Sequence, residues 1–205
     1  MDAVRYLIRR RRRDGAVPRG YRHTLELFAA DGQARLAACD LLGRPSGTAL
    51  VVEDAAGAAW TMRPARRFLP LRWPVTGPDG QVVVQFAHRV LPKLLNPWYR
   101  TALSVLDGDG HERFRLVDPR SGLLERMFGL RPDDWVLLAG TAVVARLLRA
   151  PRSAAEQGDG RGVLRALLDG PAQAFAVVGN ESPLPAPLVL CMRALLDELT
   201  DPSGG

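Results

Sequence analysis

Apolar and polar residues alternate along most of this chain in short runs, at the two-residue period of a strand with one wet face. The alternation is plainest in Thr24-Leu25-Glu26-Leu27 and Glu112-Arg113-Phe114-Arg115-Leu116. Strands are predicted over 21–29, 48–53, 58–63, 71–75, 81–87, 99–106, 112–117, 123–128, 135–139 and 141–148, with a further hairpin from 163–168 and 173–178 around Gly170-Pro171. Between them recur Asp31-Gly32, Asp54 to Gly57, Pro78-Asp79-Gly80, Asp107-Gly108-Asp109-Gly110 and Asp118 to Gly122. Each supplies the side-chain cap or positive φ that a tight hairpin turn requires. Hairpin following hairpin predicts an antiparallel sheet with enough strands to close on itself.

The C-terminal stretch breaks this period. After Ser182-Pro183, read as a cap and helix opening, the run Ala186–Leu196 is apolar on every side except Arg193. A helix that is hydrophobic all round is a buried one, and this one is too short to span a bilayer. The fold class is therefore mainly β: a closed antiparallel barrel of roughly twelve strands around a central hydrophobic C-terminal α-helix. Residues 1–19 read as a basic N-terminal tail, 20–200 as the barrel domain and 201–205 as a disordered C-terminus. A composition of 47% hydrophobic and 24% charged residues in 205 agrees with a single packed domain.

Charge changes the picture more than composition does. The net charge is +6, and residues 1–22 alone hold eight arginines against Asp2 and Asp14, so the remainder is balanced. Lys93 is the only lysine, and the arginine, alanine, glycine and proline bias points to a GC-rich, bacterial genome. Cys39 and Cys191 lie far apart in a chain without a secretory signal and are expected as buried, reduced thiols. No segment reaches the ~20 apolar residues of a membrane span, and a cytoplasmic protein, peripheral to the inner face of the membrane, is expected.

The hairpins with Asp/Gly turns, the strand entry Pro132-Asp133-Asp134-Trp135 and the final helix ending Leu195-Leu196-Asp197-Glu198-Leu199 resemble the tubby C-terminal-like superfamily, in particular its LURP-one-related and phospholipid-scramblase branch. The resemblance implies a barrel wrapped around its last helix. For tubby proteins it also implies recognition of phosphoinositides by basic residues. No acidic calcium-binding motif appears, which counts against calcium-dependent scrambling.

Two basic clusters are the candidate lipid- and anion-binding residues. Arg9, Arg10, Arg11, Arg12 and Arg13 follow Val4, Tyr6, Leu7 and Ile8, a cationic segment able to lie on anionic lipid. Arg66, Arg67 and Arg72 belong to a second cluster interleaved with Trp60, Trp73 and Trp98, whose guanidinium forks suit phosphate. The alternatives are a solvated arginine tail, and core tryptophans ringed by solvated arginines. Phosphate contacts to nucleic acid need only charge, but no base-reading module follows the tail.

Signatures of catalysis are absent from the sequence. His23, His88 and His111 have no zinc-ligand spacing, Gly43-Arg44-Pro45-Ser46-Gly47 is not a nucleophile elbow, and Gly158 to Gly162 lacks the context of a phosphate loop. Asp133-Asp134 and Asp197-Glu198 are the tight acidic pairs, read as solvated turn and helix ends. No metal and no cofactor are expected. The function read from these features is peripheral binding of anionic phospholipid head groups by a non-enzymatic domain. The alternatives are a scramblase-like lipid-handling protein or an enzyme with a barrel-end cavity, and a protein-interaction adaptor.

Overall fold

The computed structural model describes residues 2–12, 21–42, 49–63, 71–88, 102–118, 134–149, 173–179 and 182–200. Its twelve strands are β1 (Asp2–Arg12), β2 (Tyr21–Ala29), β3 (Arg35–Leu42), β4 (Leu50–Asp54), β5 (Ala59–Met62), β6 (Leu71–Thr76), β7 (Val82–His88), β8 (Ala102–Leu106), β9 (Glu112–Val117), β10 (Trp135–Ala139), β11 (Ala142–Arg149) and β12 (Gln173–Val178). Each pairs antiparallel with its neighbour in sequence, and β12 pairs with β1 to close the barrel.

Alternation decides what fills the interior. In β4, Leu50 and Val52 are buried while Val51 and Glu53 are exposed; in β6, Trp73 and Val75 are buried and Arg72 is exposed. The wall thus faces inward with apolar side chains and outward with charges such as Glu53, Arg72, Arg113 and Arg115. That polarity is the reverse of a transmembrane barrel, whose outer band is apolar. Among the described residues, no helix is long and apolar enough to cross a membrane.

The lumen is filled by helix α1 (Ala186–Thr200). Leu188, Val189, Leu190, Cys191, Met192, Leu195 and Leu196 are each 2% exposed or less, and the helix lies closest to β2, β3 and β4. Each of its buried leucines contributes about 1.5–3 kcal/mol relative to exposure. Tyr6 and Phe175 stack across the closing seam, with ring centroids 6.0 Å apart. The helix opens slightly later than Ser182-Pro183: the Leu188 and Val189 amides donate to the Pro185 carbonyl. Ser182 Oγ donates instead to the Leu184 carbonyl at 2.6 Å.

Two features depart from the sequence reading. Residues 2–12, expected as part of a basic tail, form the closing strand β1, paired with β2 along residues 6–12 and with β12 along residues 2–8. The reason is period: Tyr6 and Ile8 are buried among the core residues while Arg5 stays in water, and without β1 both β2 and β12 would present open edges. β3 had no sequence signal strong enough to predict it, because its inward positions Ala37 and Cys39 are small and lack β-branched or aromatic character. The strands expected at 123–128 and 163–168 lie outside the described residues.

Because neighbouring strands run in opposite directions, their connections alternate between two ends. One end carries the short links 30–34, 55–58, 77–81, 107–111 and 140–141, and the stretch 179–185 that leads into α1. We call it the tight-turn end. At the other, the long-connection end, the strands are joined through 13–20, 43–49, 63–70, 89–101, 118–134 and 150–172, of which only residues 49, 63, 118 and 134 are described. The helix enters at the first and its C-terminal turns reach the second, where Arg193 meets Gln173 at the start of β12.

Candidate functional site

A strand sends consecutive residues to opposite faces, so β1 divides the arginine run instead of presenting it as one patch. Arg10 shares the parity of Tyr6 and Ile8 and is half-buried on the lumen side, in register with the buried Leu25. Arg9 projects from the outer wall, its guanidinium 4.8 Å from the centroid of Phe28, and it packs toward Gly32 in the β2–β3 turn. Its register neighbour Glu26 lies 3.7 Å from Arg35. Arg11 and Arg12 complete the strand opposite Thr24 and His23. Arg13 lies outside the described residues.

From the second cluster, Arg72 is exposed near the start of β6, at the long-connection end. Arg66 and Arg67 lie outside the described residues, as does Trp98. Trp73 is buried, and Trp60 is half-buried, its indole Nε1 donating to Asp54 Oδ2 at 3.4 Å. These two tryptophans therefore belong to the core and to a turn, not to an aromatic rim. The structure places Arg11, Arg12 and Arg72 at the same end of the barrel, but β1 and β6 are five strands apart one way around and seven the other.

Sorting charge by barrel end shows what sequence reading missed. The six links of the tight-turn end contain Asp31, Asp79, Asp107, Asp109 and Glu181 and no lysine or arginine. The sequence stretches that join strands on the other side hold fifteen lysines and arginines against eight acids, nearly all of them outside the described residues, and the last turns of α1 add Asp197 and Glu198. That contrast belongs to the links alone: Arg5, Arg35 and Arg113 are exposed on the strands near the tight-turn end.

Inside the long-connection end, Arg193 of α1 donates to Gln173 Oε1 through its Nε and lies 2.6 Å from Asp197 Oδ1 through its Nη1. This ties the last turns of the helix to the seam strand β12. The other carboxylate oxygen of Asp197 is enclosed without a hydrogen-bond partner. Cys39 on β3 and Cys191 on α1 are unbridged and buried. Burial raises both thiols well above their ordinary value, Cys191 to about 12, and for Cys39 the nearby Cys191 adds to the rise. Both are held in the protonated, apolar form by the surrounding core.

Among the described residues, Asp107, Asp109 and His111 form one group whose ligand atoms lie within 4.8 Å of one another. Asp107 Oδ1 already accepts the backbone N–H groups of Asp109 and His111, at 3.1 and 2.9 Å. The group is a turn that caps itself. His88 is buried at the long-connection end of β7, at the opposite end of the barrel from the exposed His111 turn, and His23 on β2 lies five strands around the wall. Asp134 precedes β10, while Asp133, Ser46 and residues 158–162 lie outside the described residues.

No family model matches this chain, and no curated protein matches it. Among solved structures it is similar to an X-ray structure of an Arabidopsis thaliana protein, with 15% sequence identity and a TM-score of 0.46, over 98% of this chain and 94% of that one.

Proposed function

We propose that this chain is a non-enzymatic, tubby-like barrel that binds anionic phospholipid membranes peripherally, from the cytoplasmic side, through the arginine-rich rim of its long-connection end. The observation that carries the reading is Arg72, exposed at the start of β6, beside an excess of fifteen lysines and arginines over eight acids in the sequence that joins strands on that side. Basic side chains near an anionic surface contribute about 1 kcal/mol each, so an excess of several is enough for reversible binding. Such binding weakens as salt shortens the Debye length toward ~8 Å at physiological strength. Guanidinium forks also match phosphate geometry. A hidden catalytic or lipid-transfer cavity is less supported, since α1 fills the lumen with apolar side chains.

Removing the N-terminal residues is no test, because it removes β1. The test is co-sedimentation with vesicles of phosphatidylcholine, alone or with phosphatidylserine, across a salt series. The parent protein is expected to pellet with the anionic vesicles at low salt and to be released as salt rises. Arg72→Glu, an exposed position, is expected to reduce the bound fraction several-fold without altering the melting temperature. Equal recovery with neutral and anionic vesicles, or none with either at low salt, overturns the reading.

A further inference from the structure

Resting on that reading, we infer that Arg63 and Arg72 form a subsite for a phosphate monoester, its dianion held between two guanidinium groups across the β5–β6 seam. Register puts the two side chains together. Arg63 follows β5, and its amide donates to the Pro74 carbonyl at 3.2 Å, extending the pairs Thr61–Thr76 and Met62–Val75. Arg72 lies two residues before Pro74 on β6. Met62 and Trp73 are buried, so Arg63 and Arg72, each one position along from a core residue, project from the outer wall, and both are exposed. Diagonal neighbours of this kind stand roughly 7–8 Å apart, within reach of long side chains.

What surrounds the pair leaves its charge unanswered. The outward positions beside it in register, Thr61, Pro74, Gln85 and Ala87, are all uncharged. Among the described residues, neither side chain has an ion pair or a hydrogen bond. Elsewhere Arg35 faces Glu26, Arg115 faces Glu112 and Arg193 faces Asp197, and Arg113 lends its charge to Asp107. Two like charges side by side repel, so folding gains nothing from placing them there. A phosphate monoester carries close to two negative charges at neutral pH and three acceptor oxygens, which two guanidinium forks can share. A carboxylate or a phosphate diester carries one charge and answers one arginine. The seam itself rests on the short pairing of Thr61 and Met62 with Thr76 and Val75, and Pro74 has no N–H to return the bond from Arg63. An anion gripped from both strands therefore adds a link across it.

The test reads the subsite in two ways on the full chain. In hydrogen exchange, glycerol 3-phosphate is expected to slow the amide at position 63 several-fold relative to acetate at the same ionic strength, and to give no such protection in Arg63→Gln or Arg72→Gln. In co-sedimentation, vesicles containing phosphatidic acid, whose head group is a phosphate monoester, are compared with phosphatidylserine vesicles matched in surface potential. The parent is expected to favour phosphatidic acid several-fold, and each variant, with an unchanged melting temperature, to bind the two lipids alike. Protection by glycerol 3-phosphate without that preference keeps the subsite and overturns a lipid source for its ligand. No protection and no preference in protein that pellets, or a preference that survives both substitutions, overturns the subsite and leaves binding to anionic lipid standing. Failure to pellet with either lipid at low salt overturns the membrane reading itself.

Discussion

The two ends of this barrel are charged for different reasons. At the tight-turn end the carboxylates are structural: Asp31 accepts the Gln33 amide, Asp54 those of Ala56 and Ala58, Asp79 that of Gln81, and Asp107 those of Asp109 and His111. A short acidic side chain that caps an amide two residues on is the ordinary chemistry of such turns, so the negative charge there follows from folding. Arg72, exposed on β6 at the long-connection end, answers no comparable demand, because the strand does not need it there. Charge that folding does not require is the better guide to function.

The largest effect is expected where the comparison is broken outright, along the helix that joins the two ends. Leu190 is fully enclosed in the middle of α1. Leu190→Asp places an unpaired carboxylate among apolar side chains at a cost of several kcal/mol, against a total stability of about 5–15 kcal/mol. Loss of the cooperative thermal transition in circular dichroism is the expected outcome. A folded variant with an unchanged melt would mean that the lumen does not depend on this helix, and neither end would then be defined by a shared axis.

A smaller effect separates the ends by their tolerance. Gly110 closes the β8–β9 turn with φ +87° and nothing within 4 Å of the place a Cβ would occupy. Gly110→Ala therefore reports backbone strain alone, about 1–2 kcal/mol, or a fall in melting temperature of about 2–8 °C in a domain of this size. Lipid retention by the folded variant is expected to be unchanged, because the substitution lies at the end opposite Arg72. A loss of vesicle binding in proportion to stability would dissolve the distinction between a structural end and a binding end.

Much of the architecture was legible because its signals are local. The Asp/Gly turns fixed where most described hairpins reverse, and the apolar run at 186–196 announced a helix with no wet face. Two strands were not legible. β1 was hidden because five consecutive arginines, Arg9 to Arg13, outweigh the alternation of Tyr6 and Ile8 when charge is read before period. β3 was hidden because Ala37 and Cys39 suffice where the helix presses closest, and small residues carry little strand preference. The candidate site suffered most from the first omission. Once Arg9 and Arg10 are known to sit on opposite faces of one strand, a single cationic segment no longer exists, and the basic surface has to be sought at a barrel end. Sequence order cannot show that grouping, since it joins links far apart in the chain.

The smallest expected effect sharpens the claim that the acidic end is structural. The Asp107 carboxyl is held below its ordinary value of 3.8, chiefly by the His111 amide and then by that of Asp109, with His111 and Arg113 adding favourable charge. A folded-state value below the unfolded one means that the charged form stabilises the fold above about pH 4. That contribution is lost as pH falls through the lower folded value. Asp107→Asn keeps an oxygen for both amides but loses the charge, so the variant is expected to melt slightly below the parent at pH 7, with the gap narrowing as pH falls below about 4. A gap that stays constant from pH 7 to pH 3 would show that the charge contributes nothing there. The same variant removes one negative charge from the tight-turn end. Since Asp107 lies at the opposite end from Arg72, its binding to anionic vesicles at physiological salt is expected to equal that of the parent, whereas a clear gain would place the acidic turns close to the lipid.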